Sequence, residues 1–276
     1  MFDVTRRIAL SLIASLAFAL AGTAQAAPTT ADLVQTLRLH EVAGLMRNEG
    51  LSYAEDLQDE MLAGGGGAYW IRQVDRIYDT EEMVRIVAEA FEGELSAPHR
   101  AAIQAFFDNP EGQSILTYEN AAREAMSDED VEDIARANYA ELRGTDDARL
   151  EAVKRFVAAN DLLERNVAGA LGSNFMFFQG LADGGAYEFS EDEIIADVWA
   201  QEGEIREDTE AWLYGFLLMA YRPLSDEMLD RYIAFSETEA GQALNAALFE
   251  GFDVMYRAIS YDLGRAAAQA MAGSDL

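Results

Sequence analysis

One stretch of this chain is written twice, and the second copy keeps the register of the first. L-S-A-P-H-R-A-A-I-Q-A-F-F-D-N-P-E-G-Q-S-I opens at Leu95, and L-S-D-E-M-L-D-R-Y-I-A-F-S-E-T-E-A-G-Q-A-L opens at Leu224. Phe106 falls on Phe235, Gly112 on Gly241 and Gln113 on Gln242, a constant offset of 129 positions. Upstream, Arg47-Asn48 recurs as Arg165-Asn166, and Gly66-Gly67-Ala68-Tyr69 as Gly184-Gly185-Ala186-Tyr187, offset by 118. The second copy therefore carries an insertion between its two matched regions. A period this long marks a duplicated domain rather than a solenoid array. The expected organisation is a leader over 1–26, one copy over 27–143 and a second over 144–276, divided at Gly144-Thr145.

Each copy reads as helical, so the expected fold is all-α: two tandem, homologous helical-bundle domains after a cleaved signal peptide. Only four prolines interrupt the chain, and no alternating run of strand length stands out. Thr30 is positioned to cap a helix running to about Asn48, and Ser52-x-x-Glu55 forms a capping box for a second one ending before Gly64. Tyr69 to Tyr78 reads as a short helix. Thr80, Ser96, Asn109 and Ser127 open the next four starts, and Ser190, Thr209, Ser225 and Thr238 open starts in copy two, with Thr238 in the place of Asn109. Phe106 and Phe235 end one helix of the repeated pair, and each is expected to be buried against the helix that follows. Gly112 and Gly241 sit where a missing Cβ permits a close approach. Gln113 and Gln242 are the polar side chains repeated at this corner. They suit either a ligand-facing amide or the satisfaction of loop backbone groups.

Arg6-Arg7, the apolar run from Ile8 to Ala21 and Ala24-Gln25-Ala26 have the order of an export signal. The expected location is periplasmic. The chain has no cysteine, so no disulfide supports it and no thiol chemistry is open to it. Fifty acidic residues face 20 basic ones, a net charge of −30. Such a field repels phosphate backbones and anionic bilayers, so neither nucleic acid nor an anionic membrane surface is an expected partner.

The corner sequence A-F-F-D-N-P-E-G-Q, preceded by L-S, resembles the F-Y-x-S-P-x-G-Q signature of exported bacterial helical domains known as domain of unknown function 2059. Copy one matches at Phe106, Phe107, Pro110, Gly112 and Gln113. Copy two is degenerate, keeping Phe235, Gly241 and Gln242. The resemblance implies an all-helical exported domain and no particular reaction.

Chemistry is sparse. His40 and His99 are the only histidines, with no H-E-x-x-H and no E-x-x-H. There is no G-x-S-x-G and no phosphate loop with its lysine. No catalytic residue, metal or cofactor is expected. Two apolar stretches stand out: Phe175, Phe177 and Phe178, and the segment holding Trp212 and Phe216. They suit central packing or a surface for an apolar ligand or protein partner. The reading is a non-enzymatic binding or assembly module of the cell envelope, with a carrier of a lipid-like ligand between helices as the alternative.

The exported protein is expected to begin at Ala27 and to fractionate with the periplasm. N-terminal sequencing that finds Met1 on membrane-bound chain would refute this.

Overall fold

A computed structural model describes residues 27–274; the export segment lies outside the described residues. Thirteen helices and no strand occupy them. They are α1 (Thr30–Thr36), α2 (Leu39–Leu62), α3 (Gly67–Ile77), α4 (Thr80–Glu94), α5 (Ala97–Phe107), α6 (Pro110–Ala125), α7 (Glu129–Leu142), α8 (Ala148–Asn160), α9 (Leu162–Asp183), α10 (Glu191–Ala200), α11 (Glu202–Tyr221), α12 (Asp226–Ser236) and α13 (Glu239–Ser274). Among the described residues no helix is long and apolar enough to cross a membrane.

Most starts follow their capping residues. Ser96, Asn109, Ser190 and Ser225 each accept backbone N–H bonds at the helix they open. Thr238 accepts from the N–H of Gly241. Three starts move by one residue, to Thr29, Asp79 and Asp128. Two expectations fail. The helix from Thr30 ends at Thr36, because Arg38 adopts a left-handed conformation with φ 54°. The Ser52-x-x-Glu55 box caps nothing and lies inside α2. Gly50 does not break that helix; it leaves room for the ring of Tyr78, which a Cβ would meet at 2.1 Å. Likewise α11 begins at Glu202, seven residues before Thr209, and Arg206 bonds both Glu202 and Glu164 there.

The repeated corners explain the break at Arg38. Gln113 donates from Nε2 to the carbonyls of Thr36 and Phe107, and Arg38 Nε donates to Gln113 Oε1. Gln242 donates to the carbonyls of Ala159 and Ser236. Thr36 lies two residues before the left-handed Arg38, and Ala159 two before the left-handed Asp161. Both glutamines thus hold the same strained linker, α1–α2 in one case and α8–α9 in the other. Such backbone persists only where its surroundings over-determine it. Gly112 and Gly241 serve the same corner. A Cβ on either would lie 2.3 or 2.1 Å from the carbonyl oxygen of Phe106 or Phe235.

The buried residues form two clusters. The first draws on α1 to α5 and on Ala240, Leu244, Met255, Ile259 and Leu263 of α13. The second draws on α8, α11 and α12, with Ile115 and Ala122 of α6 and Tyr139 of α7. Helices from both sides of Gly144 therefore build each core. Packing is reciprocal: α4 lies against α13, while α11 lies against α6 and α7. The closest approach joins α13 to α9. A Cβ on Gly264 would lie 2.1 Å from the Phe177 carbonyl oxygen, and one on Gly180 2.2 Å from that of Tyr261.

Gly264→Val is therefore expected to push α13 off α9 and cost at least about 2 kcal/mol in urea unfolding. Gly44 meets nothing within 4 Å of a built Cβ. Gly44→Ala should instead stabilise α2 by roughly 0.5–1 kcal/mol. Equal effects at the two positions would contradict the glycine contact.

Candidate functional site

The five candidate aromatic residues do not gather in one place. Phe177 and Phe178 meet edge-on at 6.0 Å and pack on the first cluster. Trp212 and Phe216 stack at 5.2 Å, 11° from parallel, and pack on the second. Phe175 is half-buried beside them on α9. α9 from Gly169 to Gln179 is half-buried at every position, because α13 lies on one side and α10 and α11 on others. This stretch is largely shared between neighbouring helices.

The corner residues come together in an unexpected way. Phe106 and Phe235 are each only half-buried, not buried as expected. They stack on each other, with centroids 4.1 Å apart and planes 12° from parallel. Phe107 meets Phe235 edge-on at 5.6 Å, and Tyr232 lies 5.8 Å from Phe106. Phe106 and Tyr232 touch both hydrophobic clusters and so form the seam between them. A single copy gives no sign that the two rings meet, since each is the other's missing cover.

Behind this seam lies a carboxyl that the sequence reading passed over. Glu119 of α6 accepts from the Tyr221 hydroxyl of α11 at 2.7 Å. Tyr232 of α12 reaches the same carboxyl. Phe156 packs edge-on to Tyr221 at 5.4 Å and lies 4.8 Å from Tyr232. Burial raises the Glu119 pKa from 4.5 to about 7, against the lowering effect of the two tyrosine hydroxyls. Burial also pushes both tyrosines well above their ordinary range, and the adjacent carboxylate adds to this. Glu119 was legible in principle, because it follows Ile115 by four residues and precedes Ala122 by three. Those positions share its helix face and are buried.

A second missed feature is α10 with the segment before it. Only Ile194 and Val198 of α10 are buried. Ile195 and Trp199, four residues apart on one face, stay exposed, Trp199 to 64%. Tyr187 and Phe189 are also exposed and stack at 5.2 Å. In sequence, 194, 195, 198 and 199 form one broad apolar stripe, and only tertiary packing shows that half of it is uncovered. Exposed acids flank it along the chain: Glu188, Glu191, Asp192, Asp197, Glu204 and Glu207.

Two concave surfaces complete the picture. A groove of about 910 Å³ runs between α3, α4 and α13. A shallow crevice of about 640 Å³ lies over the Phe106–Phe235 stack, beside His99 and Pro98. Among the described residues, no group of three or more histidine, aspartate or glutamate side chains is placed to hold a metal ion. His40 stands 3.8 Å from Glu81 at the surface.

The raised Glu119 pKa has a definite sign. The folded state holds this proton more tightly than the unfolded chain does. Its contribution is full below pH 4.5 and is lost as pH rises towards about 7. Unfolding free energy is expected to fall across that interval by on the order of 1–3 kcal/mol, and Glu119→Gln should flatten the dependence. An unchanged pH profile in the variant would show that the carboxyl does not titrate there. No protein-family model, curated protein or solved structure matches this chain.

Proposed function

We propose that this chain is an exported, periplasmic, non-enzymatic binding or assembly module of the cell envelope. In this reading it is built from two homologous helical units, 27–143 and 144–276, of the exported kind its corner motif resembles. The partner is a protein segment that combines apolar with basic side chains. Polyanions such as nucleic acid, and anionic bilayers, are not partners, because the net charge of −30 opposes them.

One observation carries the reading: the uncovered aromatic and aliphatic face of α10. Large apolar side chains left in water inside a strongly charged rim mark a surface that another molecule covers. The rim here is acidic, so a basic segment complements it and lone apolar ligands do not. Trp199 and the stacked Tyr187–Phe189 pair have the size and rigidity typical of interface anchors.

The placement along the chain supports the same reading. The two offsets, 118 upstream and 129 downstream, differ by 11 residues that copy two carries between Tyr187 and Leu224. That interval holds 188–190, α10 and α11. Phe189, Trp199 and the rim acids fall in it, whereas Tyr187 matches Tyr69 of copy one. The second copy is therefore longer than the first in the region that carries this surface.

Site-specific photo-crosslinking tests the proposal in intact cells. A photo-reactive residue at position 199 is expected to give one discrete product, whose crosslinked segment is apolar and rich in lysine or arginine. Ile134, equally exposed but on α7, is the control position. Equal labelling at 134 and 199, or no product at 199, rejects the α10 face as the binding surface.

A further inference from the structure

We infer that the groove between α3, α4 and α13 binds a long-chain amphiphile through a carboxylate or phosphate head. This site is separate from the α10 face and goes beyond the protein-binding reading.

The groove combines charged and apolar side chains. Tyr69 of α3 donates its hydroxyl to Gln269 of α13, which fixes where the two helices meet. At roughly 1.5 Å per residue, Arg265 lies about 6 Å along α13 from this bridge and Arg76 about 10 Å along α3. Ile259 and Met255 lie about 15 and 21 Å along α13. The lining descends along α13 from Gln269 to Met255 while it climbs along α3 from Tyr69 to Ile77. The two cations therefore sit towards the bridge, and beyond them the lining mixes Ile77, Ile86 and Ile259 with the acidic first turn of α4. Met83, Met255 and Ile259 are buried in the core beneath, and Ile77, Ile86 and Ala258 are the apolar side chains more open to the groove. A volume of about 910 Å³ is at the upper end of what small-molecule sites enclose.

The state of the arginines gives the site its charge preference. In so acidic a chain nearly every cation has found a partner. Among the described arginines, only Arg72, Arg76, Arg222 and Arg265 make no side-chain hydrogen bond or ion pair. Two of these line the groove. Arg72 precedes Arg76 by one turn on the same face of α3.

The carboxylates along the groove are largely committed elsewhere. Asp79 accepts from the N–H of Glu82, Glu82 is bonded to Arg85, and Glu81 stands 3.8 Å from His40. Asp262 alone among the lining acids makes no such bond. An anionic head would give the two arginines the forked partner that the protein withholds. Its chain would cover the apolar lining, and the water it displaces would strengthen the ion pair. A single head group in this groove meets a local cationic pair, whereas a bilayer surface meets the whole acidic exterior.

The test uses the purified chain and three probes of equal chain length: palmitate, 1-palmitoyl-lysophosphatidate and the uncharged 1-palmitoylglycerol. Titration calorimetry is expected to show saturable one-to-one binding of the two anions and at least tenfold weaker binding of the glyceride. Arg76→Gln with Arg265→Gln should erase that preference. Arg222→Gln, an unpaired arginine outside the groove, should leave it intact. Both changes are at exposed positions, and circular dichroism checks that the fold is kept. Ile86→Asp should weaken all three probes. Stronger binding of palmitate than of the lysophosphatidate assigns a fatty-acid ligand, and the reverse order a phospholipid. No saturable binding, an unchanged preference in the double variant, or an equal loss in Arg222→Gln overturns the site.

Discussion

The approach of α13 to α9 sets the rest of this architecture. Three glycines remove the side chains that would hold the two backbones apart: Gly180 on α9, Gly184 at its C-terminal cap, and Gly264 on α13. Backbones this close exchange many small dispersion contacts, and side chains at the edges close over them. Once α13 is fixed there, it cannot also cover α11. It fills the first hydrophobic cluster instead, and α6 and α7 fill the second. The groove follows from the same choice, because α3 and α4 meet α13 along its other side. So does the uncovered face of α10, whose helix packs on α9 and α11 through Ile194 and Val198.

An exchange of helices needs something at the crossing that rewards the exchanged arrangement over the unexchanged one. The aromatic seam does this. Phe106 and Phe235 come from equivalent places in the two halves, and each covers the other. Glu119 adds a polar element whose partners, Tyr221 and Tyr232, both lie in the second half of the chain. A carboxyl in such a place adds little net stability, since burial opposes its charge. It penalises misplacement strongly, because α6 displaced from α11 and α12 would leave a buried acid without its hydroxyls. Arg231–Glu111, at 2.8 Å, links α12 to α6 outside the seam. Both residues are about half exposed there, so water weakens the pair.

The sequence made the helices legible because capping is local. Ser96, Asn109, Ser190, Ser225 and Thr238 all act within three residues of themselves, and a linear reading captures them. It misread the break at Arg38, where no glycine or proline signals a stop. That break is held by Gln113, 75 positions away. The glutamine corner itself was visible through the repeat, and the structure decides its role in favour of backbone satisfaction. The aromatic candidates stand out by their density along the chain. Density selects packed helices, so Phe177, Phe178, Trp212 and Phe216 proved to be largely shared between neighbours. Ile195 and Trp199 were harder to see, because exposure depends on what a tertiary neighbour fails to cover.

Composition also misleads when it is averaged over the chain. With 50 acidic residues against 20 basic ones, a random arginine on this surface has carboxylates within reach. An ion pair at the surface is therefore the ordinary state and says little about function. The informative arginines are those the fold leaves without one. Arg76 and Arg265 are 189 positions apart in sequence, and only the antiparallel run of α3 along α13 brings them to one groove. The same logic applies to apolar surface in a chain with two well-filled cores. Scattered exposed residues such as Ile71 or Ile134 are expected on any protein. A stacked pair followed a few residues later by an exposed i, i+4 pair, the latter on a helix that the fold has already anchored by its other face, is a more demanding arrangement. Acidic side chains along such a surface oppose a second copy of it and complement a basic one.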